Sequence, residues 1–337
     1  MTDIADRVTE VGEATEPTLR RRLGSWTERY GLVLLLGALV VFFAINPTTS
    51  ESFLSAPNLR ALVGNQTVTA IVALAAIVPL TAGQFDVSIG ATLGLSSVLI
   101  AKLVTEEGQS LWVALLIAVL VGALIGSILG VVIATLNVNS FIVSLGMATL
   151  LGGAVTWYSN SETLVGIPQS MLDFGNQNLF GIPRPVWLLA VIALGLTFAM
   201  RYTIFGRHLL WIGENRRAAE LIGVNTRQRI MLAFVASGSL SAIAGAVLLA
   251  RTGSASAQTG SSYTLAALAA AFLGATAITP GRFNVLGTMV GVLFVGVAVN
   301  GFTLMGAADW VEPVFNGAMV IAAVSLGAVM MRRRAKG

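Results

Sequence analysis

The sequence predicts an all-α protein that crosses a membrane about ten times, and three observations carry that prediction. First, 55% of the 337 residues are hydrophobic, 11% are charged, and the mean hydropathy is +0.83, a composition no ordinary soluble domain has. Second, the apolar residues lie in long continuous runs instead of the alternating ten-residue pieces of a membrane β-barrel. Water is absent from the hydrocarbon, so each run must satisfy its own backbone, and it does so as a helix of about 17 to 25 residues. Third, the cations fall almost entirely in every second loop.

Composition also removes whole classes of chemistry. With no cysteine there is no disulfide framework, thiolate nucleophile or thiolate metal site, and one histidine excludes nearly every imidazole-based constellation. Twenty Lys and Arg against sixteen Asp and Glu give a net charge of only +4, so the pI near 10.0 reads as a membrane-orientation signal and not as a nucleic-acid footprint.

In chain order, a polar tail over 1–29 holds Glu10, Glu13, Glu16 and the Arg20-Arg21-Arg22 run. The apolar stretch Gly31 to Ile45 is short enough to resemble a signal-peptide core, but Asn46-Pro47-Thr48 offers no small-residue cleavage site, so it reads as the first span. The ten spans are expected at 29–46, 60–82, 88–105, 110–135, 140–158, 185–201, 228–250, 263–279, 284–304 and 311–331. They define a membrane domain over 30–331, with a cytoplasmic loop at 201–229 and a short tail at 332–337. An even number of spans puts both termini on one side. That side collects Arg7, Arg20, Arg21, Arg22 and Arg29, six arginines of the 201–229 loop, Arg282, and the Arg332 to Lys336 cluster, sixteen cations in all. The other side holds only Arg60, Lys102, Arg184 and Arg251. The positive-inside rule therefore places both ends in the cytoplasm, and an odd number of spans would have divided these clusters between the two sides.

Between the second and third spans, Pro79 to Gly94 interrupts the apolar pattern around Gly83-Gln84-Phe85-Asp86-Val87-Ser88. Irregular backbone at membrane depth needs protein or a water-filled cavity around it. Asp86 is the one acid in this stretch, and at the bilayer centre it would cost on the order of 3 kcal/mol. Two readings stand side by side: Asp86 lines a solute path, or it caps the third span with its carboxylate. Asn65, Gln66 and Thr67, adjacent inside the second span, cannot share one face, so at least one meets another helix or a solute; Asn300 in the ninth span reads the same way. Glycine stripes at Gly122, Gly126 and Gly130 and at Gly287 and Gly291 allow close helix packing. They sit five spans apart, as do the breaks at 83–94 and 253–260, which suggests a five-plus-five repeat with inverted topology.

The longest cytoplasmic connection runs from Arg201 to Arg229. Residues 214–222 are good helix formers with a stop at Gly223 and Asn225, so one short helix is expected there. Ala218, Leu221 and Ile222 form its apolar stripe, flanked by Arg216, Arg217 and Glu220; such a stripe lies in lipid headgroups or in the groove of a partner. His208, beside Arg207 and without acidic neighbours, reads as an interfacial histidine rather than a catalytic base.

At Glu214 to Asn225, with its Ala218-Ala219 and Gly223, the sequence resembles the coupling segment of ATP-binding-cassette importer permeases, specifically the ribose, xylose and galactose type. The resemblance extends over roughly 55–330 through Gln66, Thr67, Gly83, Asp86, Ser88 and Gly90, through Phe141-Ile142-Val143-Ser144-Leu145-Gly146, and through Leu273-Gly274-Ala275-Thr276 and Gly287-Thr288. Departures are Gln84-Phe85 in place of Gly-Ile, Asn139 in place of Pro, and Ala275 in place of Gly; a bulkier Phe85 narrows or re-aims a path there.

The resemblance implies a transport subunit of a bacterial inner membrane that is not itself an enzyme and binds no cofactor. ATP and Mg would sit on a separate ATPase subunit, since the chain has no Gly-x-x-x-x-Gly-Lys-Ser/Thr loop. It further implies a second permease copy, making a homodimer, and an extracytoplasmic solute-binding protein, within membrane lipid and without nucleic acid. Gln66, Gln84, Phe85, Asp86, Ser88 and Phe141 are expected along the substrate pathway, and Glu214, Arg217, Ala218, Ala219, Glu220 and Gly223 at the ATPase contact. The rival class is an ion-driven secondary transporter of a small polar solute, which would need several embedded ionisable groups; Asp86 is the one candidate, because Glu106, Glu107, Glu162, Asp173, Asp309 and Glu312 fall in or beside loops.

Overall fold

A computed structural model describes the backbone of residues 19–334 and the side chains of 29–325. Glu10, Glu13, Glu16 and most of the two charged tails lie outside the described residues. Helices dominate: α1 (Leu19–Ile45), α2 (Ser50–Phe53), α3 (Ala56–Thr81), α4 (Ile89–Thr105), α5 (Leu111–Leu136), α6 (Ser140–Tyr158), α7 (Gln169–Asn176), α8 (Arg184–Tyr202), α9 (Ile204–Leu221), α10 (Thr226–Thr252), α11 (Thr259–Gly274), α12 (Val285–Leu304) and α13 (Val311–Arg334). The strands β1 (Asn178–Leu179) and β2 (Ile182–Pro183) form one small antiparallel hairpin before α8.

Among the described residues, α3, α5, α6, α8, α10 and α12 are each long and apolar enough to cross a membrane, and the apolar parts of α1, α4 and α13 are shorter. The protein is an all-α, multi-pass membrane protein. Helix starts follow the local chemistry. Ser55 and Ser110 cap α3 and α5 by accepting from the N–H of Asn58 and Val113. Asn225 and Asn284 do the same for α10 and α12. Asn139, at the position where the related pattern has proline, caps α6 by accepting from Phe141 and Ile142.

The eighth span is shifted from its sequence expectation: α11 ends at Gly274, not at 279, and Ala275 to Arg282 turns back, with Ile278 N–H donating to the Arg29 carbonyl. Its missing residues lie at the other end, where Thr259 to Ser262 form the first turn in place of a loop. Helix α7 and the hairpin were also not expected from a stretch without apolar period.

α3 is the axis of the bundle. From Thr67 to Thr81 every residue is buried, and α8, α10, α11 and α12 pack around it. α10 is the second buried helix, lying along α3, α4 and α5. Lipid supplies no hydrophobic drive between helices, so close packing of small residues has to hold them. Gly122, Gly126 and Gly130 of α5 lie so close to Gly238, Phe234 and Met231 of α10 that a Cβ at any of them would collide with that backbone. Gly287 and Gly291 of α12 press against Gly274 and Ala270 of α11 in the same way. α6 and α8 are the outermost long helices. By alternation of the helices, exposed Trp112, Trp157 and Trp310, at the start of α5, the end of α6 and just before α13, fall at the α7 face of the bundle. α9 lies at the opposite face.

Candidate functional site

The chain between α3 and α4 leaves the helix after Thr81, two residues past Pro79, with Gly83 at φ +71°, a left-handed conformation that glycine adopts without strain. Its freed backbone groups are met by hydroxyls from a neighbouring helix. Phe85 N–H donates to Ser140 Oγ at 2.9 Å and Val87 N–H to Ser144 Oγ at 3.1 Å, both on the first turns of α6. Asp86 is 3% exposed. Its Oδ1 accepts from Ser88 N–H at 3.0 Å and Ser88 Oγ at 2.6 Å, and its Oδ2 accepts from Ser237 Oγ of α10 at 2.8 Å. The carboxylate therefore ties the start of α4 to α10, with three donors compensating its burial.

Phe85 points the other way. It is 38% exposed and meets Phe141 edge-on at 6.4 Å and Phe272 stacked at 6.0 Å, and Phe272 in turn meets Phe283. Gln84 is half-buried beside it. The structure thus brings Gln84, Phe85, Asp86, Ser88 and Phe141 to one end of the bundle. Gln66 is elsewhere, toward the α7 face, at a cavity of about 630 Å³ bounded by α3, α11, α12 and α13. A second cavity of about 290 Å³ lies among Val87, Gly94, Gly152 and Gly260 of the region between α4, α6 and α11.

Several other polar residues of α3 and α12 have partners. Asn300 and Asn58 exchange a reciprocal amide pair at 3.0 Å, Asn65 accepts from Arg251 at 2.7 Å, and Thr67 donates to the Val63 carbonyl.

The helix expected at 214–222 is longer and broken. α9 starts at Ile204, one residue after α8, and its backbone leaves helical geometry at Asn215 (φ −160°, ψ 101°). The first half was hidden in sequence by Gly206 and Gly213 in a short run; it buries Leu209 and Ile212 among Val78, Ala82 and Phe234. At Gly213 the α9 backbone sits so close to the Thr81 carbonyl that any side chain would clash. The root of α9 thus abuts the α3 end that leads into the Asp86 break.

Beyond the kink, Asn215 Oδ1 accepts from Ala218 N–H and restarts the helix. Arg216 donates to Asn137 Oδ1 at 2.6 Å and to Glu220 at 3.2 Å, Thr226 Oγ1 donates to Glu220 at 2.7 Å, and Arg282 pairs with Glu214 at 2.6 Å. The Thr226 hydrogen bond holds the Glu220 carboxyl below its usual range, against the opposing pull of desolvation and with help from Arg216. Ala219 is buried; Arg217, Ala218 and Gly223 are exposed, and Leu221 and Ile222 are 84% and 67% exposed. Gly223 takes φ +86° with open space around it. His208 stacks at a tilt on Trp211, and desolvation, with Arg229 and Arg207, lowers its pKa.

Ser140, Ser237, Gly213 and Phe272 were not singled out from sequence, and Ser144 stood there only as part of a family motif. A serine in an apolar helix usually bonds its own preceding turn, so only the fold reveals which ones hold the break.

The chain is thus a multi-pass helical bundle with a polar break inside it and a kinked helix at one face. The chain belongs to the family described as branched-chain amino acid transport system / permease component, which matches residues 58–324. It is similar to the ribose import permease protein of Escherichia coli K12, at 31% identity over 85% of this chain and 90% of that one. It is also similar to the ribose import permease protein of Bacillus subtilis 168 (34%, covering 89% and 92%) and to the L-arabinose transport system permease protein of Escherichia coli K12 (30%, covering 88% and 89%). No solved structure is significantly similar to it. The chain is a membrane permease component and not an enzyme.

Proposed function

We propose that this chain is the permease subunit of an ATP-driven importer for a monosaccharide or related polyol, seated in a bacterial inner membrane with both termini cytoplasmic. The sugar assignment draws on the relatives, which are ribose and arabinose permeases by name. The ion-driven alternative has no such support. ATP and Mg are held by a partner ATPase, a binding protein delivers solute from outside, and two permease copies form the working pair.

The observation that carries the mechanism is the shape of α9. Its tip, Leu221 and Ile222, stands exposed and apolar, while its root presses through Gly213 on the Thr81 carbonyl. An ATPase groove grips the tip, with Glu214, Arg217, Ala218, Glu220 and Gly223 around the contact. Closure of the ATPase moves α9 as a lever against the end of α3. The break from Ala82 to Ser88 is next in line, and through Ser140, Ser144 and Ser237 it is fastened to α6 and α10. A shift there repositions Phe85 against Phe141 and Phe272, which form the gate at the cytoplasmic end of the path, while Asp86 and Ser88 serve as its fixed hinge.

Ten spans with an inverted five-plus-five repeat are part of this reading, and the packing supports it. Pairing α3, α4, α5 and α6 with α10, α11, α12 and α13 maps the contacts onto one another: α4 with α10 matches α11 with α3, α5 with α10 matches α12 with α3, and α4 with α6 matches α11 with α13.

The test exploits the absence of native cysteine. Ala218→Cys should form a disulfide with a cysteine placed in the ATPase groove, in the assembled transporter and in a nucleotide-dependent manner. Labelling of that thiol unaffected by the ATPase would refute the contact.

A further inference from the structure

We propose that the 630 Å³ cavity between α3, α11, α12 and α13 is a binding site for a neutral polyhydroxylated solute inside each permease copy, which rests on the permease reading above. Four helices each turn one face into it: Gln66 with Asn65 and Thr69 from α3, Gly296 and Asn300 from α12, Tyr263 from α11, and Glu312 and Asn316 from α13. The spacings of three and four residues are those of single helix faces, so the cavity belongs to the regular bundle and not to a loop.

What distinguishes it is unfilled hydrogen-bonding capacity. Asn316 is 5% exposed, and its Oδ1 has no donor among the described residues; Gln66 Oε1 is likewise buried without one. The Gln66 side chain is laid against α12 because Gly296 has no Cβ to push it away. Most neighbouring polar groups are already engaged: Asn300 is paired with Asn58, Asn65 with Arg251, and Ser262 with the Thr259 carbonyl. At the rim, Asp309 and Glu312 are exposed, and neither is in an ion pair among the described residues. The open acceptors, two amide oxygens at depth and two carboxylates at the mouth, face the same space as the amide N–H groups of Gln66 and Asn316 and the hydroxyls of Thr69 and Tyr263. Such a site calls for a ligand that both donates and accepts on several sides, as the hydroxyls of a sugar or polyol do, and its two carboxylates repel anions. Tyr263 adds an aromatic wall suited to the C–H face of a sugar ring, and the volume holds a monosaccharide with its waters.

The experiment uses the assembled permease and ATPase in nanodiscs, without the binding protein. The probes are tritiated D-ribose, L-arabinose, D-galactose and ribitol, with anionic D-glucuronate as competitor. At least one neutral probe should bind saturably with two sites per permease pair, and Gln66→Leu and Asn316→Leu should each weaken it by about tenfold, the value of one lost hydrogen bond to the solute. Glu312→Gln, which keeps the acceptor oxygen, should change it less. Asn316→Cys, in an otherwise cysteine-free chain, should react with a small thiol reagent and be protected by the bound probe, a readout that does not depend on how well the leucine variants fold. No saturable binding by any neutral probe, glucuronate binding in preference to all of them, or Asn316→Cys labelling unprotected by a bound probe would overturn the site. ATP-driven uptake by Gln66→Leu and Asn316→Leu with unchanged KM would do the same while leaving the permease assignment intact, whereas wild-type uptake that ignores the ATPase would remove the assignment itself.

Discussion

Asp86 shows how far a single residue can be read. Sequence isolates it as the one embedded acid and leaves two roles open; the structure gives it three donors, from Ser88 and Ser237, in a buried setting. Removing the carboxylate leaves those donors short of a partner, so Asp86→Ala should destabilise the folded permease by about 2 to 3 kcal/mol, and Asp86→Asn by less. Thermal melting of the purified protein in detergent, followed by size exclusion, measures this; an Asp86→Ala protein as stable as wild type would remove Asp86 as a structural tie. The serines that complete the site were not legible, because a hydroxyl gives no sequence sign of whether it bonds its own helix or a neighbour.

Glu220 supplies a pH dependence. Its folded pKa lies below the unfolded value, so the Glu220 link between α9 and α10 is fully present above the usual carboxylate range near about 4.3 and is lost as pH falls through the lower folded value. Protease sensitivity at the α9–α10 corner should therefore be flat from neutral pH to the mid-carboxylate range and rise only below it, and Glu220→Gln should abolish that acid-dependent step.

Among the elements, α9 was half legible. The tip was visible as helix-forming residues ending in Gly223, and its apolar stripe of Ala218, Leu221 and Ile222 is exposed as the pattern requires. The root was not, because a ten-residue stretch with two glycines carries little periodicity, and its helix is stabilised by burial of Leu209 and Ile212 instead of by propensity. The two halves make separable predictions. Leu221→Glu should leave the permease folded and inserted but cut copurification of the ATPase by about tenfold or more, the loss expected when a charge replaces an apolar anchor in a groove. Gly213→Leu should leave the tip free to bind the ATPase but disturb the Thr81 contact, so that ATP is hydrolysed with little solute movement. A Gly213→Leu transporter with normal uptake per ATP would break the proposed chain from α9 to α3. The glycine stripes were legible in kind; their partners came only from the fold, which sets Gly126 on Phe234 and Gly291 on Ala270. Gly126→Leu should prevent α5 and α10 from closing, with loss of monodisperse protein.

For the molecule as a whole, hydrophobic run length and the sixteen-to-four distribution of cations make the class readable from the chain alone, since a bilayer admits few ways to satisfy a backbone. The cavity toward the α7 face was not readable: its polar residues come from four helices far apart in sequence, and Asn316 looks like any polar residue of a span until its missing donor is seen. The lever at α9, the break at Asp86 and the aromatic gate all follow from one proposition, that this bundle moves solute only when a separate motor pulls on α9. Uptake into proteoliposomes holding the permease with and without its ATPase, with binding protein and solute outside, puts that proposition to the test. Uptake should require the ATPase and ATP, stop with vanadate and be indifferent to a protonophore; uptake by the permease alone, collapsed by an ionophore, would contradict it.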